Sequence, residues 1–189
     1  MFYIVFIIAA MFLIGIFNGF FNPVFEIGYF SLTIVLCTLS VIAIDAVFAT
    51  VVRWVLPRKW FNKDKKFSAG KRESVFYEKI GIKKWKEKVL ELGVFANFRK
   101  NKIAEPNNNK YIERYIVEAH YGIAVHICCV IFGFGVIGIF NKVALTVALP
   151  VALVNAFLNL LPIMVLRYNL PKLKTLYKLN ERRGSSAEA

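Results

Sequence analysis

The sequence predicts an all-α integral membrane protein with four transmembrane helices and a basic cytoplasmic insert that contains an amphipathic interfacial helix. Three observations lead there. Of 189 residues, 58% are hydrophobic and 18 are Phe, and a mean hydropathy of +0.55 is too apolar for a soluble domain of this size. Residues 2–21, 29–56, 113–140 and 143–166 each approach the roughly 20 apolar residues that a helix needs to cross hydrocarbon. Finally, 24 of the 25 basic residues fall on one side of the topology these four runs define, which is the positive-inside pattern.

The first run, opening "MFYIVFIIAAMFLIGIF", has no basic residue before Arg53. It lacks the charged start of a secretory signal peptide and is expected to stay on the mature protein. The second run carries Arg53 near its end, and after "WVLPRKWFNKDKK" the composition turns basic, with 16 Lys and Arg between Pro57 and Lys110. Within this insert, "GIKKWKEKVLELG" places Ile82, Trp85, Val89 and Leu92 on one helical stripe, with Lys83, Lys84, Glu87, Lys88 and Glu91 around the rest. Gly81 and Gly93 bracket it. Beside a membrane such a helix lies in the interface, Trp inward and Lys toward phosphates; a helix packed on its own loop is the other reading. "EPNNNK", residues 105–110, is a loop before the third helix.

Only Lys142, in the short turn between the third and fourth helices, lies opposite the other basic residues. Six more cations run from Arg167 to Arg183, so both termini and the 57–110 insert are expected in the cytoplasm of a multi-pass cell-membrane protein. Pro162 should loosen the fourth helix and free a carbonyl. Residues 1–183 read as one membrane domain, and "GSSAEA", 184–189, as a disordered tail.

A net charge of +13 without a recognition motif points away from nucleic acid and toward anionic lipid head groups or a phosphate-bearing substrate. Cys37, Cys128 and Cys129 lie inside apolar runs and lack metal-site spacing. No metal is expected.

Ionisable side chains in hydrocarbon cost about 2.5–3.5 kcal/mol each on insertion scales, so Asp45, Glu118, His120 and His126 call for a reason. At 1.5 Å per residue, Glu118 lies roughly 9 Å and His126 roughly 21 Å from the helix start at Ile112. Counted from Leu56, Asp45 falls near 16 Å; counted from Arg167, Asn159 and Asn155 fall near 12 and 18 Å, so these polar groups share a band of depths. Glu118 and His126 are about 80° and 12 Å apart, too far to bond directly, with Gly122 between them as a notch or a packing contact. Cys129, three residues from His126, raises a nucleophile pair or is an apolar filler. His120 points away from Glu118 and reads as structural. Asp45 pairs with a buried histidine or with a backbone or hydroxyl donor.

"GIKKWKEKVLELG", "IERYIVEAHYGIAVH" and "NLLPIMVLRYNLPKL", in this order and spacing, resemble the bacterial glycosyl-4,4'-diaponeurosporenoate acyltransferase family, with "VLPRKWF" at 55–61 fitting the family's entry into the insert. The likeness covers roughly residues 50–183. Its Lys and Trp block falls on Lys83, Lys84, Trp85, Lys86 and Lys88, its Glu and His on Glu118 and His126, its Asn on Asn159, and its Arg-Tyr-Asn on Arg167, Tyr168 and Asn169. The chain departs from the pattern at Ile123, Leu166 and Lys172.

The resemblance implies a membrane acyltransferase that moves a fatty acyl chain onto a hydroxyl of a lipid or glycolipid acceptor, such as a glycosyl carotenoid. Acyl-CoA, acyl carrier protein or a phospholipid would be the donor co-substrate, with no further cofactor. His126 is the candidate general base and Glu118 its catalytic companion, with Asn159 or Tyr168 as donors to the oxyanion. Arg167, Asn169 and the Lys83–Lys86 block would hold substrate. Self-association stays open, as do two other readings: a four-helix scaffold or lipid-binding subunit whose polar groups serve helix association, and a small membrane methyltransferase or reductase.

Overall fold

The computed structural model describes residues 2–22, 26–61, 67–89 and 103–187. Every regular element among them is helical. In chain order they are α1 (Phe2–Phe21), α2 (Ile27–Val55), α3 (Lys71–Lys79), α4 (Ile82–Trp85), α5 (Asn109–Gly133), α6 (Val136–Ile139) and α7 (Leu149–Ala187). Short 3-10 turns at Arg58–Phe61, Lys86–Lys88 and Asn141–Val143 and a π turn at Ala144–Ala148 complete the set. Four helical segments, Tyr3–Phe21, Ile27–Val55, Asn109–Ile139 and Asn141–Arg183, are long and apolar enough to cross a membrane.

Local chemistry explains where these helices begin and how they continue. Asn108 caps α5: its side-chain oxygen accepts from the Tyr111 amide at 3.2 Å while its amide donates to Glu105 at 2.6 Å. The 39 residues of α7 span about 58 Å, nearly twice the ~30 Å hydrocarbon core, so the helix outruns the membrane. It contains Pro162 and Pro171, each of which removes an N–H and frees the carbonyl four residues earlier. Both freed carbonyls find other donors. The Tyr3 hydroxyl reaches the Leu158 oxygen at 3.4 Å, and the Ala69 amide donates to the Arg167 oxygen at 3.1 Å. With those groups satisfied the helix stays continuous.

The chain divides into two compact units. The first comprises Met1–Val51 and Val125–Leu160. Its core packs Ile14, Phe30, Ile34 and Cys37 with Val136 and Val147, and Phe48 stacks on Phe132 with ring centroids 4.1 Å apart. Buried Asn18 donates to the Ile14 and Thr146 oxygens at 2.8 and 2.9 Å, tying α1 to the π turn.

The second unit comprises Val52–Ala124 and Leu161–Ala189. Ile82, Ile112, Ile116 and Leu170 are fully buried in it. His120, also buried, donates from Nδ1 to the Ile116 oxygen at 2.7 Å and lies near the rings of Phe61 and Phe67. The Tyr121 hydroxyl donates to the Leu56 oxygen at 2.7 Å.

The insert departs from the expectation of one interfacial helix over 81–93. Gly81, at φ +72°, takes the left-handed conformation that glycine tolerates and separates α3 from α4. The helix then lasts four residues before the 3-10 turn. Ile82 and Val89 are buried, so this end of the stripe packs against protein. Leu92 and Gly93 lie outside the described residues. Periodicity groups apolar residues on one face but does not say what covers that face.

Candidate functional site

In the first unit, three membrane-spanning segments converge on a polar cluster. Asp45 comes from α2, His126 from α5, and Asn155 with Asn159 from successive turns of α7. His126 Nδ1 lies 2.7 Å from Asn159 Oδ1. Asn159 Nδ2 donates to Asp45 Oδ2 at 2.9 Å and to the Asn155 backbone and side-chain oxygens, each at 3.1 Å. Asn155 Nδ2 donates to Asp45 Oδ1 at 3.3 Å.

This arrangement has one consistent hydrogen-bond direction. A carboxylate only accepts, so both asparagines turn their NH₂ groups toward Asp45. That leaves Asn159 Oδ1 facing the imidazole, and Nδ1 must carry the proton. Nε2 is then the basic nitrogen of His126. A carboxylate, an amide and an imidazole in series form an orienting chain of the kind that holds a general base in one tautomer. Both ends of the Asn159 amide are engaged, Oδ1 with His126 and Nδ2 with Asp45 and Asn155.

Neighbouring residues shape the cluster. Gly133 makes room for Asn155: a Cβ there would lie 2.5 Å from Asn155 Nδ2, so the amide would have to shift. The Cys129 thiol is directed at the Asp45 backbone oxygen, 3.8 Å away, and so is aligned with the backbone of α2.

The second unit holds a separate set of ion pairs. Glu118 meets Arg53 at 3.0 Å, which offsets the cost of the carboxylate near the start of α5. Arg167 grips Glu73 of α3 in a two-pronged pair at 2.6 and 2.7 Å, and the Tyr77 hydroxyl donates to the same carboxylate. The Arg167 hydrogen bond is the main reason the Glu73 carboxyl is held down to about 2. Burial, then the bond to Glu73, pushes the Tyr77 phenol up to about 12.

Next to it, the Tyr168 hydroxyl donates to Glu78 at 2.7 Å and Lys83 pairs with Glu78 at 2.9 Å. The bond from Lys83, then that from Tyr168, lowers the Glu78 carboxyl, and Glu78 raises Lys83 in return. Lys172 sits over the Tyr168 ring at 3.9 Å from its centroid. Arg167, Tyr168 and Lys83 thus bind the insert to α7. Lys84 is exposed, Lys86 and Asn169 are half-buried, and half-buried Trp85 donates its indole N–H to the Ile80 oxygen at 3.2 Å.

Sequence reasoning placed His126 and Asn159 at similar depth and left the partner of Asp45 open; it did not anticipate Asn155 as a ligand of that carboxylate. It also missed Arg53 opposite Glu118 and the Glu73 and Glu78 acceptors. The available signal was composition: two carboxylates in a short basic helix, opposite an Arg-Tyr pair at a helix exit.

Four membrane-length helices and a carboxylate–amide–imidazole chain inside them define a helical membrane protein with a polar cluster among its spanning segments. A family model described as glycosyl-4,4'-diaponeurosporenoate acyltransferase matches residues 57–179, and the chain belongs to that acyltransferase family of carotenoid synthesis. His126, Asn155 and Asn159 fall inside the match; α1 and Asp45 precede it. No curated protein and no solved structure matches the chain.

Proposed function

We propose that this protein transfers a fatty acyl group from an acyl donor to a hydroxyl of a lipid or glycolipid acceptor, with His126 as general base. The observation that carries the reading is the 2.7 Å contact between His126 Nδ1 and Asn159 Oδ1, from which the tautomer follows. Nε2 takes the proton of the acceptor hydroxyl as its oxygen bonds to the acyl carbon. The tetrahedral oxyanion collapses, the bond to the donor's leaving group breaks, and the imidazolium returns its proton to that group. Asn159 keeps the ring in place, and Asp45 stabilises the positive charge through the amide. Glu118, steadied by Arg53, contributes to acceptor binding.

Lys84, Lys86 and Trp85 receive the anionic part of the donor, while Arg167, Tyr168 and Lys83 shape that surface by holding α3 and α4. The one-sided basic charge supports a cytoplasmic location for the termini and residues 57–110. The test is lipid mass spectrometry on cells expressing wild type or His126→Ala at matched membrane levels. A species heavier by one acyl group, present with wild type and lost in the variant, is expected. Equal amounts in both would remove His126 from catalysis.

The scaffold reading draws on one observation, that the polar cluster joins three helices. It predicts that His126→Asn spares function while Gly133→Ala does not.

A further inference from the structure

We infer that the outer face of α3 is a membrane-docking surface for anionic phospholipid head groups. The face is defined by what the helix does on its other side. Glu73 is fixed by Arg167 at 2.6 and 2.7 Å, Tyr77 is buried, and the residue just before Gly70, Ala69, is tied by its amide to the Arg167 oxygen. These contacts leave α3 no freedom to roll. Helical geometry at 100° per residue then gathers Arg72, Val75, Phe76 and Lys79 on the side away from Tyr77, with the C-cap residue Ile80 exposed beside them. All five are exposed, with Val75 at 54%, Phe76 at 55% and Ile80 at 40%.

Apolar residues flanked by cations on one helical face are what an interfacial helix presents to lipid. Charge complementarity selects the occupant. Residues 71–84 carry five basic and two acidic side chains. Both acidic groups are already engaged, Glu73 by Arg167 and Glu78 by Lys83 and Tyr168. What the face offers is therefore cationic, and an anionic leaflet is its complement. Trp54, 90% exposed at the end of α2 in the same unit, is of the residue type that anchors at a membrane interface. The surface belongs to α3, one helix before the stretch that sequence periodicity singles out, in which Ile82 and Val89 are buried.

The inference does not depend on the catalytic reading. It is tested on the full chain in liposomes, with spin labels at single cysteines replacing Val75, Phe76, Ile80, Glu78 and Lys178 after Cys37, Cys128 and Cys129 are changed to Ala. In bilayers of phosphatidylcholine with one quarter phosphatidylglycerol, labels at 75, 76 and 80 are expected to collide with oxygen at least threefold more than with a water-soluble nickel chelate, relative to 78 and 178. Equal ratios at all five sites would mean exposure to water and would overturn the proposal. Low access to both agents at 75, 76 and 80 would mean a protein cover and would overturn it too.

Should the cysteine-free chain fail to fold, a photoreactive benzoylphenylalanine at position 76 in the native background reports the same contact. A phosphatidylglycerol adduct supports the proposal, and a protein adduct or none refutes it. Arg72→Gln with Lys79→Gln should cut that adduct severalfold; an unchanged yield would refute the role of charge.

Discussion

Replacing Asn159 with Ala isolates the feature on which the catalytic reading rests. The side chain is 7% exposed and holds His126 at 2.7 Å and Asp45 at 2.9 Å. Truncation strips a ring N–H of its acceptor and a carboxylate oxygen of a donor. A hydrogen bond to a charged group contributes about 1.5–3 kcal/mol. If the contact to the imidazolium is fully lost in the transition state, the rate falls by roughly 10- to 150-fold at about 1.4 kcal/mol per decade. The chain has two histidines, so selective ¹⁵N-histidine labelling in lipid gives two resolvable imidazoles. Both should be protonated on Nδ1 in the wild type, because His120 and His126 each face an oxygen there. In Asn159→Ala the His126 pattern should change, that of His120 should not, and acylated lipid per unit of membrane protein should drop within the stated range. An Nε2-protonated His126 in the wild type, or a rate within twofold in the variant, would refute the orienting chain.

Other predictions concern packing, pH and charge. Gly133→Ala forces a Cβ to 2.5 Å from Asn155 and should cost about 1–3 kcal/mol in thermal unfolding in detergent, whereas Gly138→Ala, with nothing within 4 Å, should stay within about 0.5 kcal/mol. Glu73 has its folded value lowered from 4.5 to about 2, so its contribution is complete above about pH 4.5 and is lost as pH falls through 2. Screened by solvent at this partly exposed pair, that contribution is about 1–2 kcal/mol. Hydrogen exchange at 71–79 should accelerate across this window in wild type and lack the acid step in Glu73→Gln. Glu118→Gln breaks a pair whose Arg53 is 48% exposed and should change stability by less than about 1 kcal/mol. Its acyl transfer should nonetheless fall, which separates a catalytic duty from a structural one.

Several of these features were readable along the chain. Helices that cross a membrane announce themselves because the requirement is local: a run of apolar residues of fixed length, with every backbone group satisfied within the segment. Depth is local too, since rise per residue is constant, and it put Asp45, His126, Asn155 and Asn159 in one band. The ends of α7 were harder. Its helix passes both prolines because Tyr3 and Ala69, remote in sequence, supply the missing donors.

What the sequence by itself determined was therefore the class of protein, the side on which its charge gathers, and the short list of polar residues whose burial needs a reason. Tertiary structure decided which of those residues meet. Asp45 and Asn159 are 114 positions apart, and only the rotation of two helices about their axes turns carboxylate and amide toward each other. It likewise decided that Ile82 faces protein while Phe76 faces outward. Periodicity fixes angles within one helix, but the neighbour that covers a face is chosen by packing across the whole unit.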